Sequence, residues 1–482
     1  MKIEQIGEKL SKIVNCKVVW DNYTRNFYSV DSSSYIVKPK VIVFPKNELD
    51  VVKIIKFANR FKISVTPRGA GTGLVGSALG SGIILDMKNF NKIKLGRDHV
   101  EVESGVFKGA LDKILNQNGK FIGPDPSIGL HCTIGGMIGT NASGMHSLKY
   151  GSIIDNLIQV RMVDSFGKII TLPDTYNSRK IIKSIPFNIS VNFPKVSKNS
   201  CGYRIDSILS KIDSQKIIAG SEGTLGIIVS ARLKTYPCPK KVLLYIISYK
   251  SLLDAARDVT KIIQLEPSAA EIIDNNIIKH IKIKTPTKTG CLLFVEFDYN
   301  TSQNKNKIQK IISGKIIKLE HNPNEIKKLW RFRNSALGFS LKSITKNETM
   351  PTLIEDAVVP VKRLPLLVKI LDIISKKYGL KMIVYGHAGN GNLHIRPILK
   401  RKDRYLIKKI ASEFFIGVIG IGGSITGEHG DGLARTEFVK LQYGKQVYSI
   451  FKNIKNHFDP KNILNPGKII SNQSTVTKNL KI

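Results

Sequence analysis

The stretch PRGAGTGLVGSALGSG, Pro67 to Gly82, follows the apolar run FKISV and holds six glycines. Gly71, Gly73 and Gly76 satisfy the GxGxxG spacing of a dinucleotide fingerprint. That fingerprint requires a helix to open inside the motif and an acidic residue about 20 positions on. Here SALGSGIILDM returns within a few residues to a buried strand, Gly82 to Met87, which leaves no room for the helix. A Rossmann site is excluded. What remains is a loop whose bare amides can approach an anion, because glycine reaches φ > 0 and has no Cβ in the way.

Two more loops share this texture, GPDPSIGLHCTIGGMIGTNASG (Gly123–Gly144) and AGSEGTLG (Ala219–Gly226). Three of them point to a long ligand with several polar parts. Between the loops, IVKPKVIVFPKNE, VEVESGV and NLIQVRMVDSFGKII read as strands, and ELDVVKIIKFANRF and FKGALDKILNQNG as amphipathic helices. From about Lys240 glycine thins out: VLLYIISY and GCLLFVEFDY read as strands, and 250–264, 303–312 and 361–378 as helices. The pattern is α+β. It divides into a helical segment 1–34, a ligand domain 35–240, a second α+β domain 241–421, a returning segment 422–470 and a polar tail 471–482.

The length of 482 residues calls for two or three packed units. No apolar run approaches the roughly 18–20 residues of a bilayer span, and the N-terminus reads as an amphipathic helix, so a soluble, cytoplasmic chain is expected. The five cysteines lie far apart with no CxxC pair, which excludes an iron–sulfur cluster, a zinc ribbon and a disulfide framework. The net charge of +38 suits polyanions, and a polyanion-binding protein is one alternative function. Its lysines spread along the whole chain without a compact basic helix, as a lysine-coated surface would have, so no specific nucleic-acid site is expected. Peripheral attachment to the inner face of a membrane is compatible with that charge.

PRGAGTG, the second loop, YGSIIDNL, SEGTLGII and FDPKNILNPGKI, in that order over residues 30–470, resemble the FAD-linked oxidases of the vanillyl-alcohol oxidase (PCMH) type. The similarity is to the branch of D-lactate dehydrogenases, glycolate oxidase catalytic subunits and D-2-hydroxyglutarate dehydrogenases. It implies a two-lobed FAD-binding domain, an α+β cap and a C-terminal segment that returns to the FAD domain. By position it implies FAD contacts at Arg68, Gly69, Gly71, Thr72, Gly73, Pro124, Gly135, Gly136, Asn141, Ser143, Gly144, Gly223 and Ile228. Relatives that bind FAD covalently use a histidine in the first loop, where this chain has Ala70 and Gly71, so the expected FAD is non-covalent.

MIVYGHAGNGNLHIRPIL centres two apolar runs on Asn390-Gly391, a hairpin signal. A two-residue turn there sets His387 opposite His394, with Cβ atoms about 4.5–5.5 Å apart and both imidazoles on one face. GSITGEHGDG offers Glu428 as a third ligand for a divalent metal and leaves His429 free. The resemblance implies the same set, with zinc or a similar ion on His387, His394 and Glu428 and His429 as general base. It also implies Arg333 as the substrate arginine, and Arg396 is a second candidate to clamp a carboxylate. The expected reaction is oxidation of a D-2-hydroxy acid (D-lactate, glycolate or D-2-hydroxyglutarate) to the 2-oxo acid, with hydride passing to flavin N5.

Two positions depart from the D-2-hydroxyglutarate enzymes, Ile354 in place of a lysine and Arg396 in place of an asparagine. HIRP resembles the dehydrogenase half of larger fused proteins that carry a cysteine-rich iron–sulfur region. The sequence shows no such region, so a separate acceptor is expected: an iron–sulfur subunit, an electron-transfer flavoprotein, a cytochrome or a quinone. A noncatalytic FAD-binding subunit of a glycolate-oxidase-like complex is the alternative, and the set of His387, His394, Glu428 and His429 argues against it. The non-redox flavin synthases of ether lipids share the fold, but their substrate region is not evident.

Overall fold

The computed structural model describes residues 1–174, 183, 185–186, 189–208, 211–280, 283–299, 307–342, 344–471 and 473–481. The chain is α+β and builds three main sheets. The first contains β1 (Lys17–Val19), β2 (Val41–Phe44), β3 (Val65–Arg68) and β4 (Ile83–Asp86) in the order β1-β2-β4-β3. β2 and β3 run parallel to β4, and β2 and β4 are buried along their whole length, as unbroken apolar runs in a parallel sheet should be. Pro67, which has no N–H to give, sits on the edge strand β3. The glycine loop joins β3 to β4 directly, with no intervening helix.

Helix Glu48–Phe61 covers this sheet. Asn47 caps it by accepting from Asp50 N at 3.0 Å, and Lys62 ends it in the left-handed region at φ 53°. Its apolar stripe, Val51, Ile54, Ile55 and Ala58, is solvent-free. Burying each of the two isoleucines contributes about 2 kcal/mol. The N-terminal segment is not purely helical as the sequence suggested: after helix Ile3–Ile13, β1 joins the sheet antiparallel to β2.

The second sheet is antiparallel, β5-β6-β10-β8-β9, from β5 (Ile93–Leu95), β6 (His99–Glu103), β8 (Leu157–Val163), β9 (Ile169–Leu172) and β10 (Ile227–Lys234). β7 (Lys120–Phe121) and β11 (Tyr236–Pro237) form a short separate ladder. The first loop leaves β3, the second packs Gly135 on Ser104 just past β6, and the third leads into β10, so all three glycine loops line one cleft.

The third sheet holds β12 (Leu243–Tyr249), β13 (Ala269–Asp274), β14 (Cys291–Phe297), β15 (Lys315–Glu320), β16 (Glu348–Thr349), β18 (Lys381–Gly386) and β19 (Asn392–Lys400), ordered β15-β12-β14-β13-β18-β19-β16, with β17 (Ala357–Val358) also on β19. One face packs on helices Leu252–Ile262, Leu364–Tyr378 and Ile407–Gly420. The other packs on helix Pro323–Asn334 through Ile326, Leu329 and Trp330. Of the expected helix 303–312, residues 303–306 lie outside the described residues.

After Gly422 the chain leaves this sheet. Helix Val439–Phe458 packs Tyr443 and Phe451 on Phe193 and Tyr203, Ile463 O accepts from Val65 N, and Asn465 bonds Thr66 and the carbonyls of Ser77 and Glu222. The polar tail is docked on the N-terminal segment. Ile36 N donates to Asn479 O, Lys481 N to Ser34 O and the Tyr35 hydroxyl to Val476 O, because Val476 gives the tail a buried apolar anchor. Among the described residues no helix is long and apolar enough to cross a membrane.

Candidate active site

A cleft runs between the first two sheets and ends beneath the third. Its walls include Arg68, Gly69, Gly71, Thr72 and Gly73 from the first loop, Gly135, Gly136 and Ser143 from the second, and Gly223 and Ile228 from the third. Packing demands several of these glycines. A Cβ on Gly69 would stand 2.0 Å from Thr133 Oγ1, and one on Gly223, at φ 71°, 2.4 Å from Pro67. Gly73 differs, for a Cβ there meets no protein atom within 4 Å and projects into the cleft. Ser104 Oγ, in the same wall, is buried without a hydrogen-bond partner among the described residues. An open cradle with an orphaned hydroxyl fits a polar dinucleotide such as FAD. Gly73→Val should therefore abolish the flavin absorbance of the purified protein while leaving its melting temperature unchanged; a yellow variant would place the cofactor elsewhere.

Three expected FAD contacts lie outside the cleft wall. Pro124 is buried behind it. Asn141 spends its side chain on Asn199 O and Ile154 N, and Gly144, at φ 142°, lets the chain pass the carbonyl of Asp125. Arg68 lines the cleft, but its guanidinium donates to Tyr28 O and Val30 O and lies over the Tyr28 ring, so it braces the loop.

The hairpin register differs from the sequence reading. Tyr385, not His387, faces His394, and a five-residue loop, His387–Gly391, replaces the two-residue turn. The cause is tertiary: Asn390 is held by Ser147 and Ser197, and a Cβ on Gly391 would stand 2.1 Å from Val359 O. His387 leaves the strand after Gly386, at φ 144°, and its ring still reaches His394, with centroids 5.1 Å apart.

At the cleft end three imidazole Nε2 atoms surround Glu428 Oε1: His387 at 2.9 Å, His394 at 3.3 Å and His429 at 3.7 Å. Each Nδ1 points outward to an acceptor, His387 to Glu271 Oε1 (2.8 Å), His394 to Glu355 O (3.2 Å) and His429 to Glu355 Oε1 (2.8 Å). That arrangement fixes one tautomer and leaves each Nε2 lone pair facing inward, the orientation a metal-binding histidine needs. Burial lowers the His394 pKa to about 4, which keeps that ring neutral and able to ligate. These donors fit a divalent cation of the zinc type. Asp356 also lies near, but Oδ2 accepts from the amides of Gly427, Glu428 and His429 and Oδ1 from Asn392, so it holds the GEHG turn in place.

Arg333, in the last turn of helix Pro323–Asn334, and Arg396, on β19, reach the same end of the cleft, both about 1% exposed. Arg333 pairs with Glu271 Oε2 at 2.5 Å and Arg396 with Glu355 Oε2 at 3.1 Å. In each pair the arginine uses Nη2, and Nε of both finds no hydrogen-bond acceptor among the described residues. Buried guanidinium donors without acceptors are costly unless an anion completes them.

Sequence reasoning missed Glu271, Glu355, Asp356, Arg435 and Lys198. Glu355 binds Arg396, Arg435 and His429, and Glu271 binds Arg333 and His387, so each carboxylate ties an arginine to an imidazole. The available signal was a charge inside an apolar strand, in AAEIID and LIEDAVV; Lys198 gave none.

Residues 39–173 match the family profile of an FAD binding domain, and 238–469 that of the FAD linked oxidases, C-terminal domain. The solved alkyldihydroxyacetonephosphate synthase covers 97% of this chain, and the chain 88% of it, at TM-score 0.69 and 19% identity, a likeness of fold alone. Cleft, domain match and fold together define an FAD-dependent oxidoreductase. The D-2-hydroxyglutarate dehydrogenase of Pseudomonas putida is 29% identical over 93% of this chain, which spans about half (50%) of that relative's length. Glycolate oxidase subunit GlcD of Bacillus subtilis is 30% identical, with 93% of each chain covered, and the D-lactate dehydrogenase of Anaerostipes hadrus 30%, with 96% of each. The chain belongs to the FAD-linked oxidase family.

Proposed function

We propose that the protein is a dehydrogenase of D-2-hydroxy acids, converting them to 2-oxo acids, and that its preferred substrate carries two carboxylates. The observation that carries this reading is the meeting of three inward Nε2 atoms and one carboxylate oxygen with two buried arginines, each with an Nε that finds no acceptor among the described residues, at the end of the FAD cleft.

A divalent metal bound by His387, His394 and Glu428 supplies Lewis acidity that lowers the pKa of the substrate hydroxyl, and bound FAD supplies the hydride acceptor. Arg333 and Arg396 orient the acid through carboxylate hydrogen bonds. His429 takes the hydroxyl proton at Nε2, because Nδ1 is committed to Glu355, and Glu355 then stabilises the imidazolium. Arg333 and Arg396 stand at the same end of the cleft, one guanidinium for each carboxylate of such an acid. Relatives of this chain named for D-2-hydroxyglutarate and D-lactate support the substrate class. The electrons then pass to a separate acceptor.

Anaerobic mixing with D-2-hydroxyglutarate, D-lactate, glycolate and their L-enantiomers where these exist tests both levels. D-2-hydroxyglutarate should bleach the flavin with a KM at least about tenfold below that of D-lactate, the worth of one good charge-assisted contact. Equal efficiency with D-lactate would remove the two-carboxylate reading. No bleaching by any of them would remove the dehydrogenase.

A further inference from the structure

Lys198 lines no part of the cleft, and its side chain is fully shielded from solvent. Its Nζ donates to Gly144 O at 3.1 Å and to Glu428 Oε2 at 3.0 Å. Ser143 Oγ donates to the same Oε2. The two oxygens of Glu428 are therefore unlike. Oε2 is held by two donors from the FAD-binding part of the chain, and Oε1 faces the imidazoles of His387 and His394 from the third sheet.

An ammonium is costly to take out of water and persists in an interior only where a paired charge and good geometry offset that cost. An apolar side chain of the same length would fill the space without it. Lysine at this place must act through its charge and its donors, and both fall on one oxygen. A positive charge 3.0 Å from Oε2 also repels a divalent cation from that oxygen, while leaving Oε1 accessible.

We propose that Lys198 is a positioning residue that, with Ser143, reserves Oε2 of Glu428, so that the carboxylate offers a divalent cation one oxygen and the place of the second stays open to substrate. The inference rests on the metal-assisted reading above. It also assigns a link between halves of the site. Ser143 lines the FAD cleft and Gly144 follows it, so Lys198 ties the cofactor loop to the GEHG turn through two hydrogen bonds.

The test is zinc-edge X-ray absorption on the zinc-loaded, FAD-bound protein, with steady-state kinetics beside it. In Lys198→Met, zinc and FAD should stay stoichiometric, the zinc should gain an oxygen neighbour, and KM for the 2-hydroxy acid should rise about tenfold with a smaller change in kcat, the signature of lost substrate binding. Lys198→Arg, which keeps the charge, should restore the parent spectrum. Ser143→Ala removes the other donor to Oε2 and should shift the spectrum in the same direction, which decides the matter if Lys198→Met does not fold. An unchanged zinc environment and KM in the folded variants overturns the assignment. So does loss of zinc and FAD together, which marks a purely structural lysine. If the parent protein is bleached by no 2-hydroxy acid, the enzymatic reading fails, while the zinc spectra still decide the role of Lys198.

Discussion

His429→Ala slows the bleaching of the flavin by a 2-hydroxy acid about 10²–10⁴-fold, the range for loss of a positioned general base, with FAD and metal content unchanged. The ring is placed for this work by Glu355, which accepts from Nδ1, and by the stacked His394 ring, 5.0 Å away between centroids. Burial alone lowers the His429 pKa, but the carboxylates of Glu355 and Asp356 outweigh it and raise the group to about 9. A base works only when deprotonated, so the rate should rise with pH through this titration. A divalent cation on the Nε2 side opposes the imidazolium and moves the limb toward neutrality. Glu355→Gln removes the main carboxylate that raises the pKa, so its rate–pH limb should lie at lower pH than the parent's. If His429→Ala bleaches as fast as the parent, or the Glu355→Gln limb moves upward, the proton leaves by another route.

Much of the scaffold was legible because local chemistry decides it. VIVF and IILD are apolar on both faces and became buried parallel strands; Asn47 and Lys62 bound the helix between β2 and β3; the first glycine loop, without a following helix, could not be a Rossmann turn. The histidines and Glu428 were singled out because their residue types and spacing carry chemistry, and Arg333 through the family resemblance; the structure brings them to one end of the cleft. What failed was set by distant contacts. The turn at Asn390-Gly391 was read from its dipeptide, but Ser147 and Ser197, nearly two hundred residues or more earlier in the chain, hold Asn390 and lengthen the loop. The tail reads as polar, yet one buried valine and the backbone of Ser34 and Ile36 suffice to dock it. Glu271, Glu355 and Lys198 act only through partners from other sheets, and no periodicity announces a buried charge whose partner is far away in sequence.

Glu428→Ala removes the one carboxylate, among the described residues, that the three inward imidazoles share, so it should weaken divalent metal binding by more than the roughly 10–100-fold typical of a supporting residue. Bleaching by a 2-hydroxy acid should fall with the metal, because His387 and His394 alone leave the ion underligated. The same change leaves Lys198 buried without its counter-charge, at a cost of about 3–5 kcal/mol, so the melting temperature should drop as well. Glu428→Gln separates the two effects. It keeps an oxygen toward Lys198 and Ser143 and loses the negative charge facing the imidazoles, so it should hold more stability than the alanine variant while remaining poor in metal. Chelation of the parent protein supplies the matching control: its FAD spectrum should persist, bleaching by the acid should stop, and added zinc should restore it. A Glu428→Ala protein that retains its metal and bleaches at the parental rate would show that the imidazole cluster serves only the fold, with the reacting acid held elsewhere along the cleft.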